Sequence, residues 1–169
     1  MIIEKTIGEK RFKVDINNLN KMTNVRYRKI YSACYELEDV LNSQEFQNEF
    51  MKLGFYGDDK NRNAELYSKL MSGASNFGGE DGDMDLDLTY YTKRFSKVIG
   101  YGLPYTIKTW INGKFLDLMS VDELAGHLIH EYMHKLGLDD DFGVKSVPYQ
   151  VGYLVKRLAC ESGLSPRSI

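Results

Sequence analysis

Apolar side chains recur along this chain at two periods, and the expected secondary structure changes where the period does. Residues 11–17, Arg11-Phe12-Lys13-Val14-Asp15-Ile16-Asn17, alternate polar and apolar side chains, the pattern of a half-buried strand. From 24 to 41 the apolar residues Val25, Ile30, Tyr31, Cys34, Leu37, Val40 and Leu41 return at helical spacing. Ser43 is placed to cap a second short helix running to about residue 53, where Gly54 stops it. A third helix is expected over roughly 64–71. The stretch 73–82 is small, polar and glycine-rich and reads as a loop.

Beyond it the period drops to two. Met84, Leu86, Leu88 and Tyr90 alternate with Asp83, Asp85, Asp87 and Thr89, which predicts a strand with one wet face. The aspartate row invites a calcium loop, but Leu86 stands where such a loop needs glycine, so a solvated strand face is the better reading. Residues 105–111 form another strand. Asn112-Gly113 is a two-residue hairpin signal, with 114–118 returning alongside. Ser120 and Glu123 make a capping-box pattern that opens a helix over about 120–136, and Gly137 closes it. A last helix covers about 147–161, with Pro148 tolerated in its first turn. The order predicts an α+β fold, one domain over 1–169, with a twisted β-sheet packed on helices.

The helix over 120–136 carries His130-Glu131-Tyr132-Met133-His134. Two imidazoles four residues apart lie one turn apart on the same face and can reach one ion. Glu131 projects slightly round the helix, within reach of a water rather than the ion. At about 100° per residue, Val121, Leu124, Ala125, Leu128, Ile129, Tyr132, Met133 and Leu136 occupy one arc of roughly 180°. His130, Glu131 and His134 occupy the other, so the helix buries its greasy face and offers its ligand face to a cleft. Gly137 lets the chain turn sharply, and Asp140 lies three residues beyond, where a carboxylate can be brought back as a zinc ligand. Spacing favours Asp140 over Asp139 and Asp141. Glu161, the only acidic residue of the last helix, is the rival third ligand.

The segment His130 to Asp140 resembles the metzincin metallopeptidases, whose pattern is H-E-x-x-H-x-x-G-x-x-H with three ligands and a glutamate base. With Asp140 in the third place it is most similar to the snapalysin type. The resemblance implies a zincin-like fold, a zinc ion held by His130, His134 and Asp140, and Glu131 as general base. It also implies peptide or protein substrates, and matches residues 105–111 to the edge strand that binds them. Metzincins place a methionine in a turn beneath the metal; no methionine follows Met133 here, and Ser146-Val147-Pro148-Tyr149 stands in about that place. Tyr149 fills that floor, donates its phenol to a developing oxyanion, or simply packs. His127, one turn before His130, either lines the cleft as a partner to the site or is an inert polar position. Trp110 reads as core or cleft wall.

Composition narrows the function little further. A chain of 169 residues that is 43% hydrophobic and 27% charged is ordinary globular material. A net charge of −2 gives no electrostatic case for nucleic acid or an anionic membrane. No apolar run approaches the ~18 residues of a membrane span. Residues 1–10 do not read as a secretory signal, so a cytoplasmic protein is expected, with a removed leader or another export route left open. Cys34 and Cys160 sit in apolar helical patterns and read as buried free thiols. The expectation is a zinc endopeptidase. The alternatives are an inactive zinc-stabilised binding protein and a zinc hydrolase of non-peptide amides or esters.

Overall fold

In the computed structural model, which describes residues 2–3, 11–17, 22–73, 83–95, 97–102 and 108–162, the two periods separate into a sheet and a set of helices. The strands are β1 (Ile2–Ile3), β2 (Arg11–Asn17), β3 (Asp83–Tyr91), β4 (Gly100–Gly102) and β5 (Lys108–Asn112). They form one mixed sheet in the order β1-β2-β3-β5-β4. The pairs β2–β3 and β3–β5 are parallel, and the outer pairs β1–β2 and β4–β5 are antiparallel. The helices are α1 (Asn24–Leu41), α2 (Gln44–Phe50), α3 (Asn63–Met71), α4 (Gly113–Leu118), α5 (Val121–Lys135) and α6 (Val147–Glu161). The fold is α+β. The loop expected over 73–82 lies, beyond residue 73, outside the described residues, as do 103–107.

Local chemistry explains most helix limits. Thr23 and Ser43 accept hydrogen bonds from the backbone N–H of Arg26 and Phe46 and start α1 and α2. The second helix ends at Phe50, short of the expected 53. At α5 both halves of the Ser120–Glu123 capping box are made. Its far end is a Schellman closure. Gly137 sits at φ 81°, its N–H reaches the carbonyl of His134 at 3.0 Å, and the Leu138 N–H reaches that of Met133 at 3.3 Å.

α5 runs through the middle of the core, against α1 and α6 and over β3 and β4. Leu124, Ala125, Leu128, Ile129, Tyr132 and Met133 are fully buried. They meet Ile30, Ala33 and Leu37 of α1, Val151 and Val155 of α6, and Leu88 and Ile111 of the sheet within one apolar core. Where α5 and α6 cross, Gly126 faces Gly152. A Cβ on Gly126 would lie 2.6 Å from the Gly152 carbonyl oxygen, so only glycine permits this approach.

Two expectations about which elements form and where they sit in the sheet fail. Asn112-Gly113 is not a hairpin turn, and 114–118 is not a strand. Asn112 instead caps α4, its side chain accepting from the Lys114 N–H at 3.2 Å. The dipeptide's turn chemistry is equally a helix-start chemistry, and tertiary partners choose between them. Gly113 packs on the Tyr90 ring with no room for a Cβ, Arg26 grips Asp117 with two hydrogen bonds of 2.7 and 2.5 Å, and Lys29 reaches the carbonyls of Leu116, Asp117 and Met119. The second correction concerns the edge strand. Lys108–Asn112 lies inside the sheet between β3 and β4, and the edge belongs to β4. Cys34 is buried as expected, and burial pushes its thiol well up; Cys160 is exposed, at the last turn of α6. Among the described residues no helix is long and apolar enough to cross a membrane.

Candidate metal centre

The ligand face of α5 opens between β4 and α6 onto a cleft of about 810 Å³. His127, His130, Glu131 and His134 form its floor, Val98, Ile99, Gly100 and Tyr101 one wall, and Tyr149, Gly152 and Tyr153 the other. The structure brings His130, His134 and Asp140 together. The Nε2 atoms of the two histidines are 3.2 Å apart, and Asp140 Oδ2 lies 3.5 Å from each. A tetrahedral zinc bound at about 2.0–2.1 Å needs donor atoms about 3.3–3.4 Å from one another. All three sides lie within about 0.2 Å of that requirement.

Proton placement points the same way. His134 Nδ1 lies 2.7 Å from the Leu138 carbonyl oxygen. A carbonyl only accepts, so Nδ1 carries the proton and the neutral ring presents a bare lone pair at Nε2. His130 is held by a hydrogen bond with the backbone of Pro148. Burial, opposed by Asp140 and reinforced by His134, lowers its pKa and favours the neutral ring that binds metal. Two imidazole nitrogens and a carboxylate oxygen facing one another at this range suit a cation.

The chain holds Asp140 by a device that sequence patterns did not show. Ser146 Oγ donates to Asp140 Oδ1 at 3.2 Å, leaving Oδ2 towards the histidines. Ser146 is the cap residue of α6, yet its side chain makes no cap hydrogen bond. It is 3% exposed, so the bond to Asp140 is sheltered at its serine end. Leu138 likewise serves twice: its N–H closes α5 and its carbonyl orients His134. Backbone bonds from Gly143 to Asp140 and from Ser146 to Gly143 turn the loop back, and the Lys145 ammonium sits 4.4 Å above the Tyr56 ring. A serine just before Val147-Pro148 was the one visible signal for Ser146, and it reads as an ordinary cap.

Asp139 and Asp141 are exposed and outside the ligand triangle. Glu161 is exposed and pairs with Arg157 at 3.3 Å on the far end of α6, so it is no rival for the third place. Tyr149 lies beside the site: its ring meets that of His130 edge-on, centroids 4.6 Å apart at 75°. Burial, then Asp140, raises its pKa, so its phenol keeps its proton near neutrality. Trp110 is half-buried and stacks on Tyr101 at 5.0 Å, outside the cleft lining.

Glu131 departs from the wheel. It is 4% exposed rather than wet, because it falls at the border of the two arcs and the cleft walls cover it. Burial raises its pKa to about 7, against the pull of His134 and Lys135. Its Oε2 has no hydrogen-bond partner among the described residues. His127 lines the cleft beside it, with Nε2 3.7 Å from Glu131 Oε1. No protein-family model matches this chain, and comparison with curated proteins and with solved structures returns no match.

Proposed function

We propose that this protein is a zinc-dependent peptidase of zincin-like build, with the ion held by His130, His134 and Asp140 and with Glu131 as general base. The observation that carries the reading is the donor triangle with sides of 3.2, 3.5 and 3.5 Å, directly beside a buried carboxylate that has an unpartnered oxygen. When bound, zinc lowers the pKa of water towards neutrality and polarises a carbonyl. Three protein donors among the described residues would hold the ion, the donor number of catalytic rather than structural zinc sites.

The chain's own residues then divide the work. Glu131 sits one residue from a ligand and is itself 4% exposed, a placement in which a carboxylate is an effective proton acceptor. A nearby cation favours its ionised form, offsetting the upward push of burial. It takes the proton of the attacking water and passes it to the leaving amine. Tyr149, protonated and against His130, is placed to donate to the oxygen that gains charge. β4 is the sheet's edge and one wall of the cleft, so its outward backbone groups can pair with an extended peptide. Val98, Ile99, Tyr101 and Tyr153 are exposed along the two walls and suit apolar substrate side chains.

The test combines zinc analysis with hydrolysis of an unstructured protein and a quenched peptide library. Wild type should hold one zinc and cleave. Asp140→Ala should lose the metal, and Glu131→Gln should keep it while losing cleavage. Metal-free wild type that takes up no zinc would end the proposal, as would a fully active Glu131→Gln.

A further inference from the structure

We propose that His127 is a positioning residue for Glu131: its Nε2–H donates to Glu131 Oε1 and fixes which carboxylate oxygen faces the reacting water. The role of Glu131 rests on the peptidase reading above; the pairing itself does not, since it involves neither the ligands nor the ion.

Three observations converge on the ring. First, His127 Nε2 is buried and has no hydrogen-bond partner among the described residues, and the same is true of Glu131 Oε2 on the next turn. Buried polar atoms left without partners are rare and cost about 1–3 kcal/mol each. These two lie on adjacent turns of one helix and line the same cleft. Second, the ring already stands beside the carboxylate, with Nε2 3.7 Å from Oε1. That is too long for a hydrogen bond, and a change of less than about 1 Å brings it into range. Bonds of catalytic groups are commonly long before the substrate is present and tighten with it.

Third, β4 makes room for the ring. A Cβ at Gly100 would lie 2.6 Å from the Trp110 carbonyl oxygen and 2.7 Å from His127 Nε2, so glycine lets β4 approach its neighbouring strand and the ring together. Burial of its Nε2 favours the neutral ring. A neutral N–H is a suitable partner for a base. It steadies the carboxylate without adding a positive charge that would hold on to the proton. The N–H also leaves the second carboxylate oxygen to take the water's proton.

The first arm of the test needs no metal. Nitrogen-15 NMR of the imidazoles in metal-free protein should show the neutral His127 proton on Nε2, and Glu131→Gln should move that resonance. A proton on Nδ1 with bare Nε2 overturns the proposal, as does an Nε2 signal that ignores Glu131→Gln. The second arm compares zinc-loaded variants. His127→Phe, which keeps the ring and loses the donor, should lower kcat about 10–100-fold with KM and zinc content unchanged, and His127→Gln, which keeps an N–H, should recover most of it. A His127→Phe enzyme with full kcat also overturns it. Failure of the peptidase reading looks different: wild type would then bind no zinc or cleave nothing, while the resonance arm still decides the pairing.

Discussion

Replacing Ser146 by alanine separates two roles that a serine at a helix start normally confounds. As an ordinary cap its hydroxyl would bond the first turn of α6, and its loss would cost the fold about 0.5–2 kcal/mol with or without metal. Here the hydroxyl turns to Asp140 Oδ1 at 3.2 Å and makes no cap bond. The α6 start keeps its other supports, Pro148 in the first turn and the bond from the Gln150 N–H to the Ser146 carbonyl. The metal-free variant should therefore unfold within about 0.5 kcal/mol of wild type. Zinc affinity is another matter. Partners that orient a ligand contribute about 10–100-fold to metal binding, about 1.4–2.7 kcal/mol. Asp140 is partly exposed, its side chain 38% accessible, so water replaces some of the lost bond and the lower half of that range is expected. Competition with a chromogenic chelator measures the zinc affinity, and urea unfolding with and without zinc measures the rest. At saturating zinc the holoprotein should lose about 1–2 kcal/mol more than the metal-free form. Equal losses in the two forms, with zinc affinity unchanged, would show that the hydroxyl is a cap after all and that Asp140 is not held by it.

Two further predictions concern the frame around the site. Gly126→Val places a branched side chain 2.6 Å from a backbone carbonyl of α6 that cannot yield; overpacking of about 1–3 kcal/mol exceeds the few tenths of a kcal/mol gained in helix propensity, so the urea midpoint should fall, and an unchanged midpoint would refute the close crossing. Glu36 is buried on α1, and burial, then Asp122 and Asp39, raises its carboxyl to about 7. A raised carboxyl means the folded state binds the proton more tightly, so its contribution to stability falls as pH rises from about 4.5 to 7. Glu36→Gln should match wild type near pH 4.5 and exceed it at pH 8 by about 1–2 kcal/mol after solvent screening, read by urea unfolding at both values; equal stability at pH 8 would refute it.

The parts of the fold that were legible in the sequence are those fixed within a few residues. α1 begins at Asn24 because Thr23 bonds the Arg26 N–H, and α5 is bounded by a capping box and a glycine at φ 81°. α6 matches residue for residue for the same kind of reason, a proline in the first turn and apolar residues at helical spacing. Asn112-Gly113 defeats such reading because its local chemistry allows two outcomes. Arg26, Lys29 and Tyr90, from 22 to 87 residues earlier in the chain, select the helix. β4 could not be read at all: Gly100-Tyr101-Gly102 is too short for a period and has two residues without side chains. Missing it placed the sheet's edge one strand too far in.

The site divides along the same line, and the division says where its chemistry is decided. His130, His134 and Asp140 were legible because one helix turn and one glycine bend bring them together over eleven residues, although Ser146 then orients the Asp140 carboxylate. Glu131 was legible as a residue but not in its state. On a bare helix it falls at the border of the wet arc and would be a solvated carboxylate with nothing to distinguish it. Its burial comes from the closing of the cleft around α5, by α6, through a crossing only two glycines permit, and by β4, where Gly100 admits the His127 ring beside the carboxylate. On the proposed reading, the spacing along α5 and the bend after it assemble the three donors, whereas a sheltered carboxylate beside them requires a strand about thirty residues earlier and a helix some twenty residues later. It follows that the motif alone cannot distinguish a metal-holding helix from a hydrolase, and that substitutions at Gly100, Gly126 or Gly152 should damage turnover before they damage zinc binding.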